Sequence, residues 1–210
     1  MLRHGMTTLV LRVDAERLAE WKQRSGQSVP YIERHQRVLG LHLEDPYLPV
    51  LDGHISEVAK RFTKEDFELH FEDLLLDRVA LQKLFQEASS IVAEYSPDAS
   101  GLGEAASQPS FWEKAAWTWY QYQSLSDIAN EVGIKEELLS TSMQAAFHPI
   151  LVRYSEALSP LVDQESWRRR LCPICGGKPD FAFLTKETGA RWLMCSRCDT
   201  EWLFFRLECP

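Results

Sequence analysis

The sequence has no long apolar run and only five cysteines, and each shortage excludes a class of protein. No window approaches the roughly 20 consecutive apolar residues that a membrane-spanning helix needs. The first residues also lack the apolar core of a signal peptide. Five cysteines gathered towards one end do not form the disulfide framework of a secreted domain. We therefore expect a cytoplasmic protein that is not inserted in a membrane.

Recognisable catalytic arrangements are also missing. The sequence contains no Ser/His/Asp constellation, no phosphate-binding loop and no pair of acids in a convincing setting. His148 stands alone beside Pro149, where a structural role is the simpler interpretation. We therefore predict a protein that is not an enzyme, with no catalytic residue and no binding site for an organic cofactor.

Positive charge is in short supply. The chain has 23 Lys and Arg residues against 31 Asp and Glu residues, and its formal net charge is −8. This acidic balance argues against free nucleic acid as the partner of the whole molecule. Residues 166–210 are the exception, because they carry eight basic and five acidic residues and include the run Arg168–Arg170. That run is either a solvated charge cluster or a group that steers an acidic partner or neutralises nearby thiolates.

Apolar residues recur at intervals of three and four over most of residues 1–165, and this periodicity predicts a helical bundle. The longest pattern runs from Phe67 to Tyr95, behind the capping residue Thr63. Pro149 lies inside the last pattern and should kink or divide it. The other expected helices cover about residues 14–23, 28–46, 48–62, 125–133 and 135–160.

Residues 96–110 interrupt the helical patterns. Two glycines, two prolines and many small residues predict a loop of low burial that joins helices within one bundle. An aromatic block follows, from Phe111 to Tyr122. We expect most of this block to pack in the core, with a partly exposed interaction surface as the alternative.

Four of the five cysteines form two Cys-x-x-Cys pairs, separated by nineteen residues: Cys172, Cys175, Cys195 and Cys198. Each pair can place two thiolates on one metal ion, and a hairpin between the pairs would bring them side by side. Four cysteine ligands leave no open coordination position. We therefore predict one structural metal ion, which is either zinc or iron in a rubredoxin-like site.

The residues around the cysteines predict a small β-rich module. Gly176 and Gly177 let backbone N–H groups turn towards the sulfur atoms in a tight knuckle. Strands are expected over residues 180–185, 191–194 and 200–207. The expected fold is thus mainly α: a helical domain over residues 1–165, followed by a zinc-ribbon or rubredoxin-like module over residues 166–210.

A longer pattern surrounds the knuckles. It comprises Cys-Pro-Ile-Cys-Gly-Gly-Lys-Pro at residues 172–179, Gly189-x-Arg191-Trp192-Leu193-x-Cys195-Ser196-x-Cys198, Glu201-Trp202, Arg206 and Cys209. Together these residues resemble the formate dehydrogenase accessory protein family, FdhE. The resemblance implies a non-catalytic protein that acts in the cytoplasmic maturation of formate dehydrogenase and contacts its catalytic subunit. It also implies that the four paired cysteines bind metal, iron in particular.

Cys209 and Pro210 resemble the beginning of another knuckle, because Cys172 and Pro173 begin the first one. Members of the family continue from this position into a second, similar module. We therefore expect a chain without that module, either a shortened product or a naturally short relative. Otherwise, Cys209 is a spare thiol.

Two other functions remain open at this point. A nucleic-acid-binding zinc ribbon could use Arg168–Arg170 together with exposed aromatic side chains. A dithiol oxidoreductase could use Cys172 and Cys175, although such motifs usually begin a helix in a βαβ setting. A homodimer is compatible with all three hypotheses.

Overall fold

The structure is a computed structural model that describes residues 33–34, 37, 41, 52–61, 68–99 and 101–208. The helices expected over residues 14–23 and 28–46 lie wholly or largely outside the described residues, as do Thr63 and Cys209. None of the described helices is long and apolar enough to cross a membrane.

The described part of the chain is mainly α-helical and ends in a small antiparallel sheet, which confirms the expected fold class. The strands are connected in the order β1-β2-β3. The helices with defined bounds are α1 (Asp52–Arg61), α2 (Arg78–Glu94), α3 (Leu102–Ala106), α4 (Pro109–Tyr120), α5 (Ser126–Glu131) and α6 (Glu136–Leu158). The strands are β1 (Phe181–Leu184), β2 (Arg191–Met194) and β3 (Glu201–Phe204).

Helices α2 and α6 form the centre of the helical body. Each presents a face of apolar side chains at intervals of three and four, which is the pattern of a core-facing helix. Helix α6 continues through Pro149, so the expected division of this helix is wrong. The buried apolar residues are Ala80, Leu81, Leu84, Phe85, Ala88, Ile91 and Val92 on α2, and Leu139, Met143, Ala145, Ala146, Phe147, Ile150, Leu151, Tyr154 and Leu158 on α6.

Residues 68–77 are not part of a helix, which corrects the continuous helix expected from Phe67. Asp77 caps α2, because its Oδ1 accepts the N–H groups of Val79 and Ala80 at 2.9 and 3.0 Å. Apart from one 3₁₀ turn at Phe71–Asp73, the preceding residues contain no helix. We call residues 68–77 the strap.

Tyrosine side chains hold the strap against the helices. The Tyr120 hydroxyl donates to the Leu69 carbonyl at 2.6 Å. The Tyr154 hydroxyl accepts the Leu75 N–H at 2.7 Å and donates to the Asp73 carbonyl at 3.0 Å. These tertiary bonds satisfy backbone groups that would otherwise be bonded within a helix.

Residues 96–110 are more ordered and more buried than a loop of low burial would be. They contain a 3₁₀ turn and helix α3, and Leu102, Ala105 and Ala106 are buried. A Cβ atom at Gly101 would lie 2.5 Å from the Val132 carbonyl oxygen. The small residues thus allow close packing, and the prediction of low burial is wrong for Leu102, Ala105 and Ala106, whereas residues 107–110 are exposed.

The aromatic block forms most of helix α4 and lies mainly in the core. Phe111, Trp112, Trp119 and Tyr120 are buried, whereas Trp117 is 43% exposed. The expectation of core packing is confirmed for these four residues. Trp119 also stacks on Phe147 of α6, with ring centroids 5.2 Å apart.

The ribbon, which we define as residues 172–208, carries the three-stranded sheet. Strand β2 lies in the middle, and Leu193 pairs with Ala182 on one side and with Trp202 on the other. Trp202 and Leu193 are fully buried, whereas all four residues of β1 are exposed. The buried residues of the ribbon belong to the same apolar cluster as those of the helices.

Candidate metal centre

The four paired cysteines meet in one buried cluster. Their Sγ atoms all lie within 4.8 Å of one another, and none of the four forms a disulfide. The Cys172–Cys198 and Cys175–Cys195 sulfur separations are 3.5 and 3.6 Å. A tetrahedral ion with metal–sulfur bonds of about 2.3 Å has sulfur atoms about 3.8 Å apart. The donor set therefore fits a single four-coordinate ion.

The first knuckle is a tight backbone turn. The Cys172 N–H donates to the Gly177 carbonyl at 2.7 Å, and the Gly176 N–H donates to the Cys172 carbonyl at 3.1 Å. Gly176 has φ +67°, a conformation that favours glycine. The Ile174 N–H also points at the Cys172 Sγ, at 3.4 Å.

The second knuckle repeats this backbone pattern with different residues. The Cys195 N–H donates to the Thr200 carbonyl at 3.1 Å, and the Asp199 N–H donates to the Cys195 carbonyl at 2.9 Å. Asp199 has φ +55° and therefore occupies the position of Gly176. Its side chain lies 3.2 Å from His148 Nε2 on α6. His148 thus contacts the ribbon, which agrees with the structural role expected for it.

A pair of hydroxyl groups connects helix α6 to the sulfur cluster. Thr200 Oγ1 lies 3.0 Å from the Cys198 Sγ and 2.7 Å from Ser155 Oγ. Both hydroxyl-bearing residues are buried. A hydroxyl that donates to a sulfur ligand orients it and stabilises its thiolate form.

Burial strongly affects proton binding by the thiols. It raises the pKa of Cys172 and of Cys198 well above the ordinary thiol value. The pKa of Cys175 is well below that value, mainly because Cys172 hydrogen-bonds to it and in smaller part because of the positive charge of Arg197. Desolvation thus opposes four free thiolates in one cluster, and a bound cation would be required to keep all four charged.

Contacts with the helical body hold both knuckles in place. The Leu69 N–H of the strap donates to the Ile174 carbonyl at 2.8 Å. The Tyr122 hydroxyl donates to the Cys175 carbonyl at 3.4 Å, and Gln144 Nε2 donates to Ser196 Oγ at 3.0 Å. Leu69, Tyr122 and Gln144 lie about fifty positions or more from these partners, so no local sequence signal identifies them.

The arginines near the cysteines have different environments. Arg197, inside the second knuckle, is 6% exposed and lies against the rings of Trp119 and Tyr122. In the run Arg168–Arg170, Arg168 pairs with Glu165 at 2.9 Å, and Arg169 lies over the Trp167 ring. The sequence suggested the run Arg168–Arg170 as the positive charge near the thiolates. In the structure, the buried arginine beside the cysteines is Arg197.

A closed cluster of four cysteines on a helical body is a possible site for one structural metal ion. Residues 171–206 match the family model described as "FdhE, central domain". A "Protein FdhE homolog" from Aquifex aeolicus is 34% identical over 82 residues, covering 38% of this chain and 28% of the relative. These findings confirm the resemblance to the FdhE family, and they place it in the segment that matches this central domain.

Other relatives also match parts of the chain. An FdhE homolog from Pseudomonas aeruginosa is 38% identical over 74 residues, which is 34% of this chain and 23% of the relative. One from Klebsiella pneumoniae is 28% identical over 128 residues, which is 57% of this chain and 39% of the relative. The matched region thus spans less than half the length of each of these relatives. No solved structure matches the chain significantly.

Proposed function

We propose that this chain is a non-catalytic accessory protein that contacts the catalytic subunit of formate dehydrogenase during its cytoplasmic assembly. In this proposal, Cys172, Cys175, Cys195 and Cys198 bind one structural ion, either zinc or iron. The observation that carries it is the closed cluster of four thiols inside the segment that matches the FdhE central domain. The partner and the compartment come from the family resemblance.

The geometry of the cluster supports a structural ion. Four sulfur donors fill a tetrahedral coordination shell, so no position is left for water or substrate. When bound, the ion would join the two knuckles, which are otherwise connected by a single short hairpin. The ribbon has little core of its own, and metal ligation is a common source of stability for such modules.

The same geometry argues against the dithiol oxidoreductase. Thiol–disulfide exchange requires an accessible thiolate, whereas all four cysteines are at most 1% exposed. The first Cys-x-x-Cys pair lies in a turn that leads into a β-hairpin, and it does not begin a helix. Blocked thiols that become reactive only after a chelator is added would agree with a metal site.

Elemental analysis of the purified protein tests the metal proposal directly. We expect about one equivalent of zinc or iron in the wild type and none in Cys195→Ser. Cys209→Ser is the matched control, because it removes the one cysteine outside the cluster and should keep the metal. Absence of metal from the wild type purified in chelator-free buffer would overturn this part of the proposal.

Co-purification tests the partner. A tagged wild-type chain should retain the formate dehydrogenase catalytic subunit, and Cys195→Ser should retain less of it. Normal formate dehydrogenase activity in a deletion strain, combined with no retention, would contradict the accessory role. A gel-shift titration at low salt provides a further arm, since salt-sensitive retardation would favour a nucleic-acid-binding ribbon instead.

A further inference from the structure

The charged side chain of Arg197 extends from the ribbon into the helical body. It lies in the second knuckle between Cys195 and Cys198, yet its side chain packs on helix α4 and the residues that follow this helix. Its guanidinium carbon is 3.9 Å from the Trp119 ring centroid, 4.2 Å from that of Tyr122 and 5.1 Å from that of Tyr120. Only 6% of the residue is exposed.

The guanidinium group is poorly satisfied by hydrogen bonds among the described residues. Its Nε, Nη1 and Nη2 atoms are buried and make no hydrogen bond of good geometry there, although the neighbouring Tyr122 hydroxyl interacts with the group. A buried cation is unfavourable unless nearby negative charge or polarisable groups compensate for the lost water. Aromatic faces provide part of that compensation through cation–π attraction, which is strengthened when the cation is desolvated.

The sulfur cluster provides negative charge at this position. Four thiolates and one divalent ion carry a net charge of −2. Arg197 lies in the second knuckle, one residue from Cys198 and two residues from Cys195. Tyr122 connects the two groups, because its ring faces Arg197 and its hydroxyl donates to the Cys175 carbonyl.

We propose that Arg197 is a positioning residue that acts as the counter-cation of the metal-loaded cluster. Held between Trp119 and Tyr122, it joins the second knuckle to α4, so that metal binding and the seating of the ribbon on the helices support each other. This inference depends on the metal site of the proposed function. It adds a residue that contacts no metal and whose aromatic partners lie outside the ribbon.

Charge and stacking can be separated by substitution. Arg197→Met keeps an unbranched apolar stem and removes the charge, whereas Arg197→Lys keeps the charge and removes the planar group. Arg170→Met is the matched control, since Arg170 is exposed and lies two residues from Cys172, as Arg197 does from Cys195. The whole 210-residue chain, purified with its metal, is used throughout.

The first readout is the rate at which a chelator removes the metal. We expect Arg197→Met to release it about tenfold faster than the wild type, as is typical when a group that supports metal ligands is lost. Arg197→Lys should recover part of the slow release, and Arg170→Met should stay within about twofold of the wild type. A wild-type release rate in Arg197→Met would overturn the proposal.

The second readout is amide hydrogen exchange in the wild type, which can be measured even if Arg197→Met does not fold. Removal of metal from the wild type should increase exchange in residues 117–122, which hold the guanidinium, more than in residues 81–92 of α2. Unchanged exchange in residues 117–122 would overturn the coupling even if Arg197→Met does not fold. If the purified wild type contains no metal, the metal site itself is refuted. If the wild type contains metal but neither readout shows the expected effect, only the proposed role of Arg197 is refuted.

Discussion

Gly177 offers a direct test of how tightly the sulfur cluster is packed. A Cβ atom at this position would lie 2.8 Å from the Cys195 Sγ, 2.8 Å from the Tyr122 hydroxyl and 3.2 Å from the Cys175 Sγ. Ordinary van der Waals contact begins at 3.4 Å, so Gly177→Ala requires displacements of about 0.6 Å on two sides. Unlike Gly176, Gly177 does not have a positive φ, so the substitution tests packing and not backbone strain.

The size of the expected effect follows from the geometry of metal binding. Metal–ligand distances in a good site stay within about 0.2 Å of their preferred values. A displacement of about 0.6 Å exceeds that range, and the flanking Tyr122 hydroxyl hinders movement of the new methyl group away from the sulfur atoms. We expect the metal affinity of Gly177→Ala to fall by about 10- to 100-fold, or more.

Chelator competition measures this effect. The fraction of metal retained by wild type and by Gly177→Ala is followed against increasing chelator. Gly103→Ala is the matched control, because in the part of the chain that the structure describes no atom lies within 4 Å of its new Cβ. Since Gly103 lies in α3, its replacement should leave metal retention unchanged and slightly raise stability. Retention by Gly177→Ala equal to that of the wild type would refute the packing argument.

Three further substitutions test contacts outside the sulfur atoms. Tyr154→Phe removes the hydroxyl that holds the strap. The free energy of unfolding measured in urea should therefore fall by about 1–2 kcal/mol, and Tm should fall by roughly 2–8 °C. An unchanged urea midpoint would contradict this prediction. Thr200→Val should speed metal release about tenfold, because the Cys198 Sγ loses its hydroxyl neighbour. Thr200→Ser keeps the hydroxyl and should release the metal at the wild-type rate. Equal release rates in the two variants would exclude a role for the hydroxyl. Hydrogen bonds from the Ser126 side chain, the Leu125 N–H and the Ser124 side chain lower the pKa of Glu136 below its ordinary value. The stabilising effect of this carboxylate is therefore present at neutral pH and is lost as the pH falls through the lowered pKa. Glu136→Gln should unfold more easily than the wild type at pH 7, and this difference should shrink as the pH falls; a difference that does not change with pH would contradict the assignment.

Local chemistry was enough to predict the ribbon. The cysteine spacing identified the four residues that meet, and the expected strands over residues 180–185, 191–194 and 200–207 each contain the observed strand. The knuckles are determined by residues close in sequence, so a local pattern suffices. The role of these cysteines as ligands remains a prediction until metal is measured.

Long-range packing explains where sequence reasoning failed. The apolar pattern from Phe67 onward has helical periodicity, but Asp77 caps the helix and the strap bonds to Tyr120 and Tyr154 instead. Residues 96–110 resemble a loop by composition, yet Leu102 is fully buried and a Cβ atom at Gly101 would meet the Val132 carbonyl oxygen. The division at residue 165 also stays a prediction, since ribbon and helices share one apolar cluster.

The packing of the ribbon against the helical body also has a consequence for the newly synthesised chain. Translation delivers the strap and α4 before residues 172–200, at roughly 5–20 residues per second. Until those later residues fold, Trp119, Tyr120 and Leu69 lack their contacts with Arg197 and Ile174 of the ribbon. If the ribbon folds only around its ion, the supply of that ion sets how long these contacts are missing. Metal starvation would then appear first as aggregation or proteolysis of the nascent protein, before any loss from chains already folded.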